Sequence, residues 1–241
     1  MLYRSHRGGV HNVPENTMPA FLSALNAGYH TIETDPQITR DGVVVLMHDD
    51  TINRTCRHED GSLIEKPIRI SETTYKELLS YDAGIALGEQ FRGTHIPRLD
   101  ELLLAAEGRD VAIALDKKIT TDRVDALIDV VQRYRTRVSF STSDVERIRK
   151  IQARIPDAMF DYDVNLGDQA LAEVCRLVKP ENLMIWMYLD RPNFAWLTQI
   201  AKVSPDNYRR VKQYGRVGIA NICHPEDVMD ALSYSPDAME L

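Results

Sequence analysis

A chain of 241 residues, 44% of them apolar, can bury a sizeable core and is close to the size of one (β/α)8 barrel, about 250 residues. Its formal charge of −7 lacks the basic footprint of a general nucleic-acid binder, but a locally positive site for an anionic small molecule is compatible with it. Cys56, Cys175 and Cys223 form no CxxC pair or zinc pattern, no apolar run approaches the ~20 residues of a membrane helix, and Arg4, His6 and Arg7 break up any leader, so a soluble, cytoplasmic protein is expected.

Strand-like and helix-like segments alternate, the pattern of an α/β fold with parallel strands. A short first strand is expected from Leu2 to His6, followed by a loop through Gly8, Gly9 and Pro14 to Asn16. Thr17 is a good N-cap for a helix with Phe21, Leu22 and Leu25 on its apolar face, and Gly28 suits the C′ position. Thr31-Ile32-Glu33-Thr34-Asp35 reads as the next strand. Side chains at i and i+2 share a face, so Glu33 and Asp35 project together while Ile32 and Thr34 face away. Adjacent carboxylates repel unless one takes a proton or a cation sits between them, and hard ions such as Mg2+ or Ca2+ bind carboxylate oxygens. Asp41-Gly42 predicts a tight turn, so the run Val43–His48 folds back and brings His48 beside the two carboxylates. Glu33 and Asp35 are thus expected to hold a metal, with His6 and His48 doing acid–base chemistry beside it.

From about Thr51 to Pro97 the alternation breaks. This stretch reads as an insertion or small cap over a barrel mouth, too small to fold alone, with a short helix capped by Thr74 and Glu77. Beyond it, helices are expected from Leu99 through Ala106 to an end at Gly108, after Thr121, after a Ser143/Glu146 capping box, over Gln169–Val178 and from Pro225. Residues 193–214 read as helical or irregular, with Pro205 as a break. Strands are expected at Val111–Asp116, Val138–Ser141, Ala158–Val164, Leu183–Leu189, Arg216–Asn221 and Asp237–Leu241. That makes eight barrel strands, hence a single (β/α)8 TIM-barrel domain over residues 1–241. Asp161 and Asp163 share a strand face and are expected to hydrogen-bond in the barrel interior; Trp186 and Tyr188 share another, where core packing is the default. Of the remaining histidines, only His11 lies in the expected site loop.

The pieces His6-Arg7-Gly8, Pro14-Glu15-Asn16-Thr17, Ala20-Phe21, Gly28, Ile32-Glu33-Thr34-Asp35, Asp41-Gly42 and His48-Asp49 occur in this order at close spacing. Together they closely resemble the signature of the glycerophosphodiester phosphodiesterase family. Arg54-Thr55 and Ile96-Pro97-Arg98-Leu99 resemble the edges of that family's insertion, and the resemblance covers roughly residues 5 to 118. It implies metal-dependent hydrolysis of a small glycerophosphodiester to glycerol 3-phosphate and an alcohol. His6 and His48 would be the catalytic pair, Glu33 and Asp35 metal ligands, Arg7 a phosphate binder, and Glu15 and Asn16 part of the substrate-binding loop. The family's Glu-x-Lys matches Asp116-Lys117-Lys118, which puts Asp116 in the third ligand position and Lys118 in the phosphate-binding position. Asp is one methylene shorter than Glu, so a bridging water could fill the gap to a Mg2+ or Ca2+ ion. Two further departures are Ile219-Ala220-Asn221-Ile222, where the family tends to carry a tryptophan, and the chain end at Leu241, where the family usually continues with a Thr-Asp step and a helix. The alternatives are a related phospholipase D or sphingomyelinase D-like barrel acting on lysophospholipids, and a catalytically silent binding barrel. No nucleic-acid partner and no membrane span are expected, and a homo-oligomer is left open.

Overall fold

A computed structural model describes residues 1–9, 12–191 and 198–241. His11 and part of the 193–214 stretch therefore lie outside the described residues. The strands are β1 (Leu2–Ser5), β2 (Thr31–Thr34), β3 (Pro36–Ile38), β4 (Val44–Leu46), β5 (Arg57–His58), β6 (Tyr81–Asp82), β7 (Ala112–Leu115), β8 (Arg137–Thr142), β9 (Met159–Tyr162), β10 (Leu183–Tyr188), β11 (Arg216–Ala220) and β12 (Ala238–Glu240). Eight of them close a barrel in the order β1-β12-β11-β10-β9-β8-β7-β2, the (β/α)8 fold. Two compact units divide the chain, one of Ser5–Val138 and one of Met1–Arg4 with Ser139–Leu241.

In the unit Ser5–Val138, α1 (Met18–Ala27) begins at Thr17, whose hydroxyl accepts from Ala20 N–H, and ends at Gly28 in the left-handed conformation its φ of 79° requires. Strand β2 pairs in parallel with β7, setting Glu33 beside Ala114 and Thr34 beside Leu115. Directly after Asp35 the chain turns into the antiparallel hairpin β3–β4, with Pro36 opposite Leu46. The insertion has α2 (Tyr75–Leu78), closed by the expected reciprocal Thr74/Glu77 cap, and the small ladder β5–β6. Its apolar residues, including Ile52, Cys56, Ile64, Ile70 and Leu78, pack with Val45 and Met47 of the hairpin, so its core is shared with the element that carries His48. Helices α3 (Leu99–Ala106) and α4 (Val124–Val131) follow. Thr121 does not cap α4 as expected. It lies inside a 3-10 turn, Thr121–Arg123, that precedes the helix.

In the other unit, β8, β9, β10, β11 and β12 pair in parallel, with β12 closing on β1 through Leu2 and Ala238. Helix α5 (Val145–Gln152) is capped by Asp144, whose carboxylate accepts from Glu146 N–H, one residue after the expected Ser143. It is followed by α6 (Asp168–Leu177). Pro205 starts α7 (Pro205–Lys212) rather than breaking it, because a first-turn proline gives up an N–H that has no partner there anyway. Helix α8 is Pro225–Leu232. Inside the unit, Asp161 accepts from Ser139 Oγ at 2.5 Å and Trp186 Nε1 at 2.7 Å, and Asp163 from Tyr188 OH at 2.6 Å. The Arg4 guanidinium stacks 3.7 Å from the Trp186 ring centroid and bonds Glu240. The two aromatic residues expected simply to pack thus also donate to the strand-face aspartates. No described helix is long and apolar enough to cross a membrane.

Candidate active site

The expected site residues all come from the unit Ser5–Val138 and enter from five chain segments: the end of β1, the loop before α1, the end of β2, the end of the hairpin and the end of β7. This is the C-terminal face of parallel strands, where barrel enzymes place their chemistry.

Arg7 is the hub. Its backbone is left-handed, with φ 52° and ψ 29°, an uncommon conformation for a residue with a side chain. Held this way, Arg7 N–H donates to Glu33 Oε2 at 2.8 Å, its Nη1 donates to Glu15 Oε1 at 3.0 Å, and its Nε lies 3.6 Å from Asp35 Oδ2. Gly8 makes the turn feasible. A Cβ at Gly8 would lie 2.8 Å from Phe21 Cδ1 and 3.0 Å from Ala20 Cβ, so β1 is followed by a backbone pressed directly onto α1.

Glu33 and Asp35 are both buried, and so are Ile32 and Thr34. Burial, and then the negative charge of Asp116, push the Asp35 carboxyl above its usual value, against the pull of Asn16, His48 and Lys118. Lys118 Nζ is 3.7 Å from Asp35 and 3.9 Å from Asp116, and stands as a cation common to both. Asp116 is anchored by its N–H to the Thr34 carbonyl, so its carboxylate follows the end of β2.

Asn16 and Glu15, expected to meet substrate, are turned to protein partners. Asn16 is 1% exposed; its amide donates to Asp35 Oδ2 at 2.8 Å and accepts from Thr34 Oγ1 at 2.7 Å. Glu15 accepts from Arg7 and, through both oxygens, from Arg54. Burial opposes its ionisation, but Arg54 and Arg7 outweigh that and its pKa is lowered.

The two imidazoles are the most open groups of the set, with His6 36% and His48 34% exposed. His6 Nε2 lies 4.0 Å from Glu33 Oε2. His48 Nδ1 is 2.7 Å from Asp49 Oδ1, which leaves Nε2 directed away from the carboxylate. Hydrogen bonding from Arg54 leads in lowering the Asp49 pKa to about 2. Asp49 and Arg54 received no role from the sequence. The available signal was the adjacency of a histidine and an aspartate at the end of a strand, and an arginine six residues on.

Among the described residues, no three His, Cys, Asp or Glu side chains stand together as a ready metal cage. The donor chemistry nonetheless fits a hard divalent ion. Glu33, Asp35 and Asp116 offer carboxylate oxygens, the donors a hard divalent ion takes.

Residues 6–166 match the glycerophosphoryl diester phosphodiesterase family. A glycerophosphodiester phosphodiesterase of Caldanaerobacter subterraneus subsp. tengcongensis is 31% identical over 189 residues, covering 76% of this chain and 71% of the relative. The fold is similar to an Oleispira antarctica phosphodiesterase solved in complex with the product sn-glycerol-3-phosphate, with a TM-score of 0.79 and 18% identity over 100% of this chain and 92% of that one. It is also similar to a glycerophosphoryl diester phosphodiesterase from Parabacteroides distasonis, with a TM-score of 0.75 and 23% identity over 99% of this chain and 81% of that one.

Proposed function

The chain belongs to the glycerophosphoryl diester phosphodiesterase family, and from that premise we propose that it hydrolyses small glycerophosphodiesters to glycerol 3-phosphate and an alcohol, with His6 and His48 moving the protons beside a carboxylate-held divalent metal. The observation that carries the reading is the set of contacts made by Arg7, whose amide bonds Glu33 while its guanidinium stands against Asp35 and Glu15. One residue thereby links the carboxylates to a cationic anchor for phosphate.

Glu33, Asp35 and Asp116 would hold the ion, Mg2+ or Ca2+. Bound there, it would neutralise negative charge developing on the phosphoryl oxygens. Arg7 offers planar N–H groups to phosphate oxygens, and Lys118 adds a point charge. One imidazole takes a proton from the attacking hydroxyl and the other gives one to the leaving alkoxide. His48 suits the step that leaves the ring charged, because the Asp49 carboxylate on Nδ1 stabilises an imidazolium and keeps Nε2 aimed outward. His6 takes the complementary role. Asn16 and Glu15 act as positioning residues: Asn16 steers Asp35, and Glu15 joins Arg7 to Arg54.

Release of glycerol 3-phosphate from glycerophosphocholine tests the reading. His6→Ala and His48→Ala are each expected to abolish turnover while keeping the native circular dichroism spectrum. Near-wild-type turnover by either variant overturns the assignment. A lipid-directed reading has one observation in its favour, the exposure of Leu63 and Leu87 on the insertion. Faster turnover of lysophosphatidylcholine than of glycerophosphocholine would favour it.

A further inference from the structure

Beside the proposed centre lies a cavity of about 230 Å³ whose lining includes Gln37, Asp50, Arg69, Lys118, Thr120 and Arg123. Lys118 is the shared wall, since its ammonium also stands against Asp35 and Asp116. The opposite wall is tied to the catalytic hairpin. Gln37 Nε2 donates to the carbonyls of Met47 and Asp49, on either side of His48, and Ile70 N–H donates to the Asp50 carbonyl, which sets Arg69 next to it. In the reading above a diester is held by Arg7 and Lys118, and Lys118 also lines this cavity.

The charge in the cavity is unbalanced. Arg69 and Arg123 line it with a single carboxylate, Asp50, while the Lys118 ammonium is already held by Asp35 and Asp116. Among the described residues the Arg123 guanidinium has no carboxylate within ion-pair distance, and Arg69 has only Glu72, at 4.0 Å. Both arginines are exposed to solvent, so neither is needed to neutralise a buried group. Planar guanidinium groups match carboxylate and phosphate oxygens in pairs. We propose that this cavity receives the alcohol half of the substrate and that Arg69 and Arg123 select an alcohol bearing its own anionic group, a carboxylate or a phosphate, over a cationic one. Asp50 then offers a place for an ammonium on the same alcohol. The inference rests on the phosphodiesterase reading above and adds the side of the substrate which that reading leaves open.

The test compares kcat/KM on glycerophosphoserine, glycerophosphoglycerol and glycerophosphocholine for the wild type, Arg69→Gln, Arg123→Gln and the double variant. The wild type is expected to prefer the serine ester. In the double variant the serine-to-choline ratio should fall at least about tenfold, mainly through KM for the serine ester, because charge-assisted hydrogen bonds are lost. Raised salt should lower the wild-type ratio in the same direction. If the wild type turns over these diesters and the ratio stays within about twofold in the double variant, the selecting role of the cavity is overturned while the phosphodiesterase reading stands. If the wild type turns over none of the three, the parent reading falls and takes this inference with it. Both positions are solvent-facing, and unchanged melting curves confirm that the variants are folded.

Discussion

Asp49→Asn removes one negative charge from beside His48 with almost no change of shape. In the native protein the carboxylate is 2.7 Å from His48 Nδ1, and with a pKa of about 2 it is ionised throughout the range in which an unperturbed imidazole titrates. A hydrogen bond to an ionised group contributes ~1.5–3 kcal/mol. The pair is partly open to water, His48 34% and Asp49 29% exposed, and screening reduces the figure to ~1–2 kcal/mol. The expected loss in kcat on glycerophosphocholine is therefore ~5- to 30-fold, with KM little changed because Asp49 is directed at His48 and Arg54. The double variant His48→Ala/Asp49→Asn should be no slower than His48→Ala alone, since both act through one ring. A kcat within about twofold of wild type removes Asp49 from the catalytic account. The same substitution has a signature in stability. The folded pKa lies below the unfolded value, so the stabilisation is fully present above pH 4 or so and is lost as pH falls through about 2. It is worth at most ~2 kcal/mol and, after screening, ~1 kcal/mol. Urea denaturation at several pH values should show the wild type losing that much more than the variant on acidification. Parallel curves refute the pairing.

Gly8→Ala should cost ~2–4 kcal/mol, from a left-handed backbone and a Cβ forced to 2.8 Å from Phe21; an unchanged urea midpoint would mean that the loop relaxes freely. Asn16→Ala leaves Asp35 and Thr34 without their buried partner, so stability should drop by ~1–3 kcal/mol and kcat/KM should fall as well. A loss of stability with full activity would make Asn16 structural only. Lys118→Met should raise KM for the diester about tenfold, and more at low salt than at high; an unchanged KM takes Lys118 out of phosphate binding. Exhaustive treatment with EDTA should remove activity, and Mg2+ or Ca2+ should restore it. Full activity in chelated buffer rules the metal out.

What could be read from the chain was what depends on near neighbours in sequence. Glu33 and Asp35 sit in the buried interior at the end of one strand, and the Asp41-Gly42 turn folds the hairpin back so that Met47 N–H, next to His48, bonds the Asp35 carbonyl. Caps were harder, because Ser, Thr and Asp compete for the same N–H groups. Asp144 won over its neighbour Ser143, and Thr121 was drawn into a 3-10 turn. Contacts across tens of residues left no local trace. Glu15 and Arg54 are 39 positions apart, and neither shows in its own segment that the other neutralises it. Asn16 looked like a ligand-facing amide, yet its partners are 18 and 19 residues away and fully interior. Trp186 and Tyr188 announced apolar bulk, while the acceptors that claim their polar tips, Asp161 and Asp163, lie in and just beyond the neighbouring strand β9.

Ala20 has no surface at all, yet its methyl group is one of the atoms against which Gly8, and with it the backbone of Arg7, is set. A bulkier residue there would shift the backbone of Arg7, the proposed phosphate anchor, from a position that no inhibitor reaches. In a deep mutational scan, position 20 should score like the pocket itself, and a map drawn from such data would extend the functional footprint inward along the first helix.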